Sequence, residues 1–465
     1  MEWCTKAMSY SLYALAYFLP ISAALMEIFF TIALLLFFIK RGIVFYTSLK
    51  GLSPDHTLRD KVKLFLYSYK PKTTYLNWPI GVFIFAGFFS ILVSRYPLLS
   101  IQGFIFKLLE WTYLYFMMIE CILEKRQLKI LMSIFIVSAA LVTLSGFLQR
   151  LTGIDFIRGH PLVTFRVTSS FRHANDFGAY LVVVSLISLV YALNGFHLRV
   201  PGKKEDSLFY GRLIKTFMVC LFILALVCLG LTYSRGAWVA FFIGLIFLSL
   251  LKPKHLPVLI CVILSFFLIF FHRMELNRSL SMLTHHFVRH ESTSTEPPSR
   301  EPQNHSAIQE KSISSDSGGI VHDFEQNDRV VLWQIAIQLI KQHPFGIGLN
   351  TYSQVSNDYS FSHRGFPFWG GYPHNCYLHL TVETGIFGLL SFVWIVFVLF
   401  RNSTRHVHMV RDKFLASTLL GSLTGLSAFL AHSFVDTNFY STQLGDLLWL
   451  MIGVVVISQK IALDI

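Results

Sequence analysis

FPFWGGYPHNCYLHLTVETGIFGLL, residues 366–390, passes from an aromatic, glycine-rich polar stretch straight into an apolar run that continues to residue 400. A run of that length spans a bilayer as a helix, so Pro373, His374 and Asn375 mark the point where a polar loop enters a membrane. A histidine at such a boundary exchanges protons near neutral pH while backed by a low-dielectric wall that strengthens its interactions. Two readings of His374 and Asn375 stand here: chemistry at the membrane surface, or the capping of a helix terminus.

Working outward, composition agrees with a membrane chain. Of 465 residues, 54% are hydrophobic and only 14% charged, and the mean hydropathy is +0.56, outside the range of a soluble globular domain. The formal charge of +13 sits mostly in short segments between apolar runs. There it reads as a topology signal and as contacts to anionic lipid; with no soluble basic module present, nucleic acid is not an expected partner. Cys4, Cys121, Cys220, Cys228, Cys261 and Cys376 show no paired spacing, so neither a disulfide framework nor a metal site is expected. The first apolar run continues past Pro20 into a second, unlike a cleavable signal peptide.

About twelve apolar runs of near-spanning length follow one another. They lie at 8–19, 21–39, 78–93, 98–119, 130–148, 177–193, 216–232, 237–251, 256–271, 376–400, 414–434 and 445–458. The first two can also be read as one tilted span or a hairpin around Pro20. The expected fold class is therefore all-α, a polytopic integral membrane protein with about twelve transmembrane helices. The division is 1–149 as N-terminal helices, 150–271 as central helices with an arginine-rich loop, 272–375 as a long outside loop, and 376–465 as C-terminal helices. Lys and Arg are concentrated in alternate connections, which puts both termini in the cytoplasm and 272–375 on the opposite face. Within that loop, 291–328 is poor in large apolar residues and reads as disordered. Its histidines lack metal-ligand spacing. After it, RVVLWQIAIQLIK (residues 329–341) reads as a short helix capped by Asn327 or Asp328 and ended by His343-Pro344.

The candidate residues fall on the outer face. Arg329 lines up with Trp333, Ala336 and Ile340 on an apolar face, whereas Gln334, Gln338 and Lys341 form a polar stripe. In the first turn, Arg329 opposes the helix dipole unless an anion sits there; its other reading is a pair with Asp328 or Glu325. Arg235 is held in the tight turn of LTYSRGAW, and Arg158, Arg166 and Arg172 occupy the loop 150–176. Several arginines on one face with few carboxylates call for an anionic partner. Lys107 with Glu110, and His379 with Glu383, stand at helical spacing inside apolar runs; structural bridges come first as their explanation, with a transporter or lipid flippase behind. Cys376 makes a poor nucleophile beside His374, since their side chains point apart.

Five pieces in order, FRHANDFGAYL (171–181), LTYSRGAW (231–238), DRVVLWQIAIQLIKQHPFGIGLNTYS (328–353), PHNCYLHLTVETGIFGLL (373–390) and AHSFVDTNFY (431–440), resemble the O-antigen ligase and polymerase superfamily of bacterial envelope enzymes. The resemblance covers roughly residue 141 to the C-terminus. It implies metal-independent, inverting glycosyl transfer at the periplasmic face of the inner membrane, with no cofactor, from an undecaprenyl-diphosphate-linked glycan. The acceptor it implies is a sugar hydroxyl, of lipid A-core in the ligases or of another repeat unit in the polymerases; protein oligosaccharyltransferases are a third variant, and the ligase reading leads. Carried over by position, Arg235 and Arg329 hold the donor diphosphate and His374 acts on the acceptor hydroxyl. Arg166, Arg172 and Asn375 complete the expected substrate-binding set.

Overall fold

Pro20 and the residues around it turn the chain back on itself, so the first two apolar runs form a helical hairpin. Helix α1 (Glu2–Phe18) packs along α2 (Ala23–Lys50), whose start is capped by the Ser22 side chain accepting from Leu25 N. The computed structural model describes residues 2–51, 57–162, 165–194, 204–256, 260, 262–263, 320–364 and 372–464, with backbone alone for 204–210, 320–328 and 360–364. Most of the run at 256–271, and all of 272–319, lie outside the described residues.

The elements that follow are helical: α3 (Leu58–Tyr69), α4 (Asn77–Leu92), α5 (Pro97–Gly103), a π-helical turn (Phe104–Leu109), α6 (Glu110–Cys121) and α7 (Lys125–Thr152). Then come α8 (Ala174–Asn194), α9 (Lys204–Leu231), α10 (Arg235–Leu251), α11 (Ile320–Gln342), α12 (Tyr352–Arg364), α13 (Cys376–His406), α14 (Lys413–His432) and α15 (Thr442–Leu463). Seven of them, α2, α7, α8, α13, α14, α15 and the 211–231 part of α9, are long and apolar enough to cross a membrane; α4 and α10 are shorter apolar helices. The chain is thus a polytopic membrane protein, all-helical among the described residues.

Two compact units divide the chain, one of residues 1–253 with 332–465 and the other of 254–331. In the first, α8 and α14 form the centre: the apolar window of α8 is 89% buried and that of α14 83%, against 17% for the peripheral α2. Gly421 lets the two central backbones meet, since a Cβ there would lie 3.2 Å from Ile187 Cα. Small residues at helix crossings in lipid work this way, because close packing replaces the hydrophobic drive that water would supply.

Helix α13, the run that opened the sequence, is not one straight rod. It breaks at Gly385, whose φ of 72° and ψ of −179° are open to glycine alone. The turn 343–348 after α11 docks into the break: Ile347 N donates to Val382 O (2.9 Å), Gly348 N to Glu383 O (3.0 Å) and Ile386 N to Pro344 O (3.1 Å). Backbone groups freed by a kink in a membrane helix need such internal partners, because lipid supplies none.

In the second unit, the helix bearing Arg329 begins at Ile320, earlier than the expected start at residue 329. The backbone of 320–328 is thus helical, within the stretch that composition reads as disordered. Asn327 and Asp328 are interior residues rather than caps, and Arg329 does not stand in the first turn. The physical reason is that 320–328 contain neither Gly nor Pro, so nothing in them breaks a helix. Past the division, Leu332, Ile335, Ala336 and Leu339 are the buried stripe of α11, and Gln334, Gln338 and Lys341 are exposed as expected.

Candidate functional site: a His–Asp pair beside an arginine turn

Three segments of the first unit converge at the start of α13. Asn375 is the N-cap, its side chain accepting from Tyr377 N and Leu378 N at 3.0 Å each, so its Oδ1 is committed to the helix. Cys376 N donates to Ser433 O (2.8 Å), Cys376 Sγ donates to Asp436 O (3.2 Å), and Phe439 N donates to Cys376 Sγ (3.3 Å). The buried thiol is thus a fastener between α13 and the segment 433–440. The third segment is the Ser234-Arg235-Gly236 turn. It packs on the same stretch so closely that a Cβ on Gly236 would sit 2.6 Å from Val435 Cγ2 and 3.3 Å from His432 Cδ2.

His374 is held in an uncommon backbone state, with φ of +44°, between Pro373 and the N-cap. Histidine tolerates the left-handed region better than most residues, but the conformation still costs energy and persists only where its surroundings enforce it. They do: Trp333 Nε1 on α11 donates to Pro373 O (2.6 Å) on one side, and Asn375 caps α13 on the other. The result aims the ring at Asp436, with His374 Nδ1 lying 3.3 Å from Asp436 Oδ1. The His374 side chain remains 38% exposed while that of Asp436 is 9% exposed. Nδ1 is therefore engaged inside the protein, leaving Nε2 as the nitrogen available to a substrate.

Burial by itself would raise the Asp436 carboxyl. The hydrogen bond with His374, the nearby His432 and His374 charges and the donated Thr437 N–H outweigh it and hold the group at about 2. Asp436 is consequently an anion throughout the physiological range. Asp176, on the first turn of α8, lies within electrostatic reach of it.

The expected arginines divide by what they touch. Arg235 is the first residue of α10, exposed and without a partner among the described residues, at a helix end whose amide N–H groups are also open. Tyr233, two residues earlier, has φ of +52° and shapes the turn. Arg166 is engaged: its Nε donates to Thr232 O (2.7 Å) and it also binds Asn175 Oδ1, tying the loop 150–176 to the arginine turn. Arg158 Nη1 donates to Ser170 O (3.4 Å) within that loop. Arg172 is exposed just before α8. Arg329 belongs to the other unit, where it is half-exposed.

Deeper in the first unit, His379 Nε2 lies 3.3 Å from Glu383 Oε1, both fully buried; Glu383 accepts from Tyr352 N (3.2 Å), and His379 stacks on Tyr440 with ring centroids 3.4 Å apart. The pair is an i,i+4 contact within α13, packed against Tyr352 and Tyr440 from other segments. Lys107 does not pair with Glu110 but donates to Asn350 Oδ1 (2.7 Å). Among the described residues no group of three or more His, Cys, Asp or Glu side chains is arranged to hold a metal ion. Asp436 is the functional residue that sequence reasoning missed; the piece AHSFVDTNFY contained it, without a signal that it faced a histidine so far away in the chain.

No curated protein sequence matches the chain. Residues 220–393 match the family model described as O-antigen ligase, a segment that includes the Ser-Arg-Gly turn, Trp333 and the Pro-His-Asn motif. That match supports ligase- or polymerase-type glycosyl transfer and, with it, the O-antigen ligase superfamily for this chain.

Proposed function

We propose that the protein is a glycosyltransferase of the inner membrane, working at the periplasmic face without a metal, that moves a glycan from undecaprenyl diphosphate to a sugar hydroxyl, most directly that of lipid A-core. The observation that carries this reading is the His374–Asp436 pair beside an unpartnered arginine at a helix start. Neutral His374 removes the acceptor proton through Nε2 as the hydroxyl oxygen attacks the anomeric carbon. Asp436 accepts the Nδ1–H bond, fixes the tautomer and stabilises the imidazolium that forms. The bond from the anomeric carbon to the diphosphate oxygen breaks with its electron pair, and charge grows on the leaving group. Arg235 and the N-terminal amides of α10 are suited to that charge, with Arg329 as the second arginine that the family resemblance implies. A single displacement of this kind inverts the anomeric centre.

Polymerase and protein oligosaccharyltransferase variants use the same chemistry on other acceptors. Loss of all polymer from lipid A-core in a deletion strain marks the ligase, and a single capped repeat marks the polymerase. The transporter reading leaned on buried ionisable pairs, and the His379–Glu383 pair is packed as a bridge. The decisive test is His374→Ala and His374→Gln assayed with purified donor and acceptor. Both are expected to lose activity by roughly 10²–10⁴-fold, and the wild type is expected to keep full activity in EDTA. Wild-type turnover in both variants, or abolition by EDTA, overturns the metal-free histidine base.

A further inference from the structure

The first unit contains a cavity of about 250 Å³ that the chemistry above does not use. It lies between α2, the α5–π-turn–α6 segment and the start of α15, with Glu27, Gln102, Glu110 and Thr442 among its walls. It is far larger than the roughly 10–15 Å³ that one water needs by the same measure. We propose that this cavity is a saccharide subsite, which receives a hydroxyl- or amino-bearing sugar residue of a substrate glycan; the proposal rests on the glycosyl-transfer reading.

Three observations carry it. First, Glu110 is only 5% exposed, yet its Oε1 has no hydrogen-bond partner, and a buried acceptor left open costs energy until something donates to it. Glu27 is within hydrogen-bonding reach of Glu110, and the fully buried Asp446 acts on both through space with neither of its own oxygens partnered. Against these carboxyls stands Lys107, already occupied by Asn350 and lying over the Tyr440 ring. The cavity is therefore rich in carboxyl oxygens, and it suits a ligand whose surface carries hydroxyl or amino groups.

Second, the remaining walls are aromatic: Phe106, Trp111, Phe439 and Tyr440. Flat rings next to a few acceptors match the two faces of a pyranose, whose C–H groups pack on rings while its hydroxyls reach polar atoms. A lipid chain would leave Glu110 open, and a bare cation finds no ligand set among the described residues. Third, the cavity adjoins the reacting groups. Phe439 and Tyr440 follow soon after Asp436, and Phe439 N is fastened to Cys376, two residues from His374. Lys107 itself stands on the π-helical turn, a distortion that often re-aims a side chain at a functional site.

The test uses the full chain in nanodiscs, with tryptophan fluorescence read during titration with glucose, N-acetylglucosamine, glucosamine and glucuronate. At least one of the three uncharged or amino sugars is expected to give a saturable change that Trp111→Phe removes, glucuronate none, and Glu110→Gln about tenfold weaker binding. Gln102→Ala, at the exposed rim, supplies a second variant with weakened binding should Glu110→Gln fail to fold. In turnover, the Glu110→Gln change raises KM for whichever glycan occupies the cavity, donor or acceptor, and leaves the other KM alone. No response to any of the three sugars, equal binding of glucuronate, or wild-type binding in both variants overturns the proposal. Inorganic pyrophosphate in the same assay reports on Arg235; its failure to bind counts against the diphosphate reading and leaves the saccharide subsite standing.

Discussion

In the proposed mechanism Asp436 gives the His374 base a defined tautomer, through a contact of 3.3 Å between residues that two helices separate in sequence. Asp436→Asn keeps the shape but weakens the anionic acceptor of the Nδ1–H bond. A fall in kcat of about 10³–10⁴-fold with little change in KM is expected, read by steady-state kinetics; a raised KM with kcat unchanged would mean that Asp436 acts in binding instead. The same carboxyl sets an acid limit on stability. Its folded value of about 2 lies below the 3.8 of a free aspartate, so its contribution is fully present above pH 4 and is lost as the pH falls toward 2. The shift corresponds to about 2 kcal/mol. Thermal unfolding in detergent is expected to show the wild type losing that margin over the asparagine variant between pH 5 and pH 2. A constant difference across the range would remove the ion as its source. At this scale the sequence makes His374 and Arg235 candidates, the first by an abrupt change from polar to apolar residues and the second by a tight turn between two apolar runs. It hid Asp436, since one carboxylate in an apolar signature gives no sign of which distant ring it faces.

Helix α13 depends on its interruption. At Gly385 any side chain meets both an unfavourable φ of 72° and the chain at 344–345, with Phe345 C 2.5 Å and Pro344 O 2.7 Å from a Cβ. Gly385→Ala is expected to destabilise by about 3 kcal/mol or more and to lower activity with it. Gly81→Ala, where nothing lies within 4 Å of the added carbon, is the matched control and is expected to be neutral or slightly stabilising. A Gly385 variant as stable as the Gly81 variant would show that the break is dispensable. The apolar periodicity of residues 376–400 forecast the helix but not the break. A glycine in such a run is as often a packing surface as a kink, and what distinguishes Gly385 is the turn 343–348, which comes from another element. The start of α11 at Ile320 is hidden for a related reason: polar residues resemble a loop, although the absence of Gly and Pro lets a helix run through them.

At the scale of the whole chain, alternating charge gives an orientation that can be tested directly. Both termini are expected inside, and Ser292, outside the described residues, on the far face. In a cysteine-free background, Ser292→Cys is expected to react with a membrane-impermeant thiol reagent in intact spheroplasts; protection until lysis would reverse the orientation. The break at Gly385 has a consequence at this scale. The half of α13 that follows His374 is fixed to protein at its start, through Trp333 and Pro373, and at its end, through the turn 343–348. The second half, from Ile386 to His406, has exposed apolar residues such as Phe387, Leu390, Val393 and Phe397 along it. A thicker or thinner bilayer acts on that second half, which can tilt about the glycine as membrane helices do under hydrophobic mismatch. A change of bilayer thickness is therefore expected to move the second half more than the imidazole, so that turnover in nanodiscs of short- and long-chain lipid differs little.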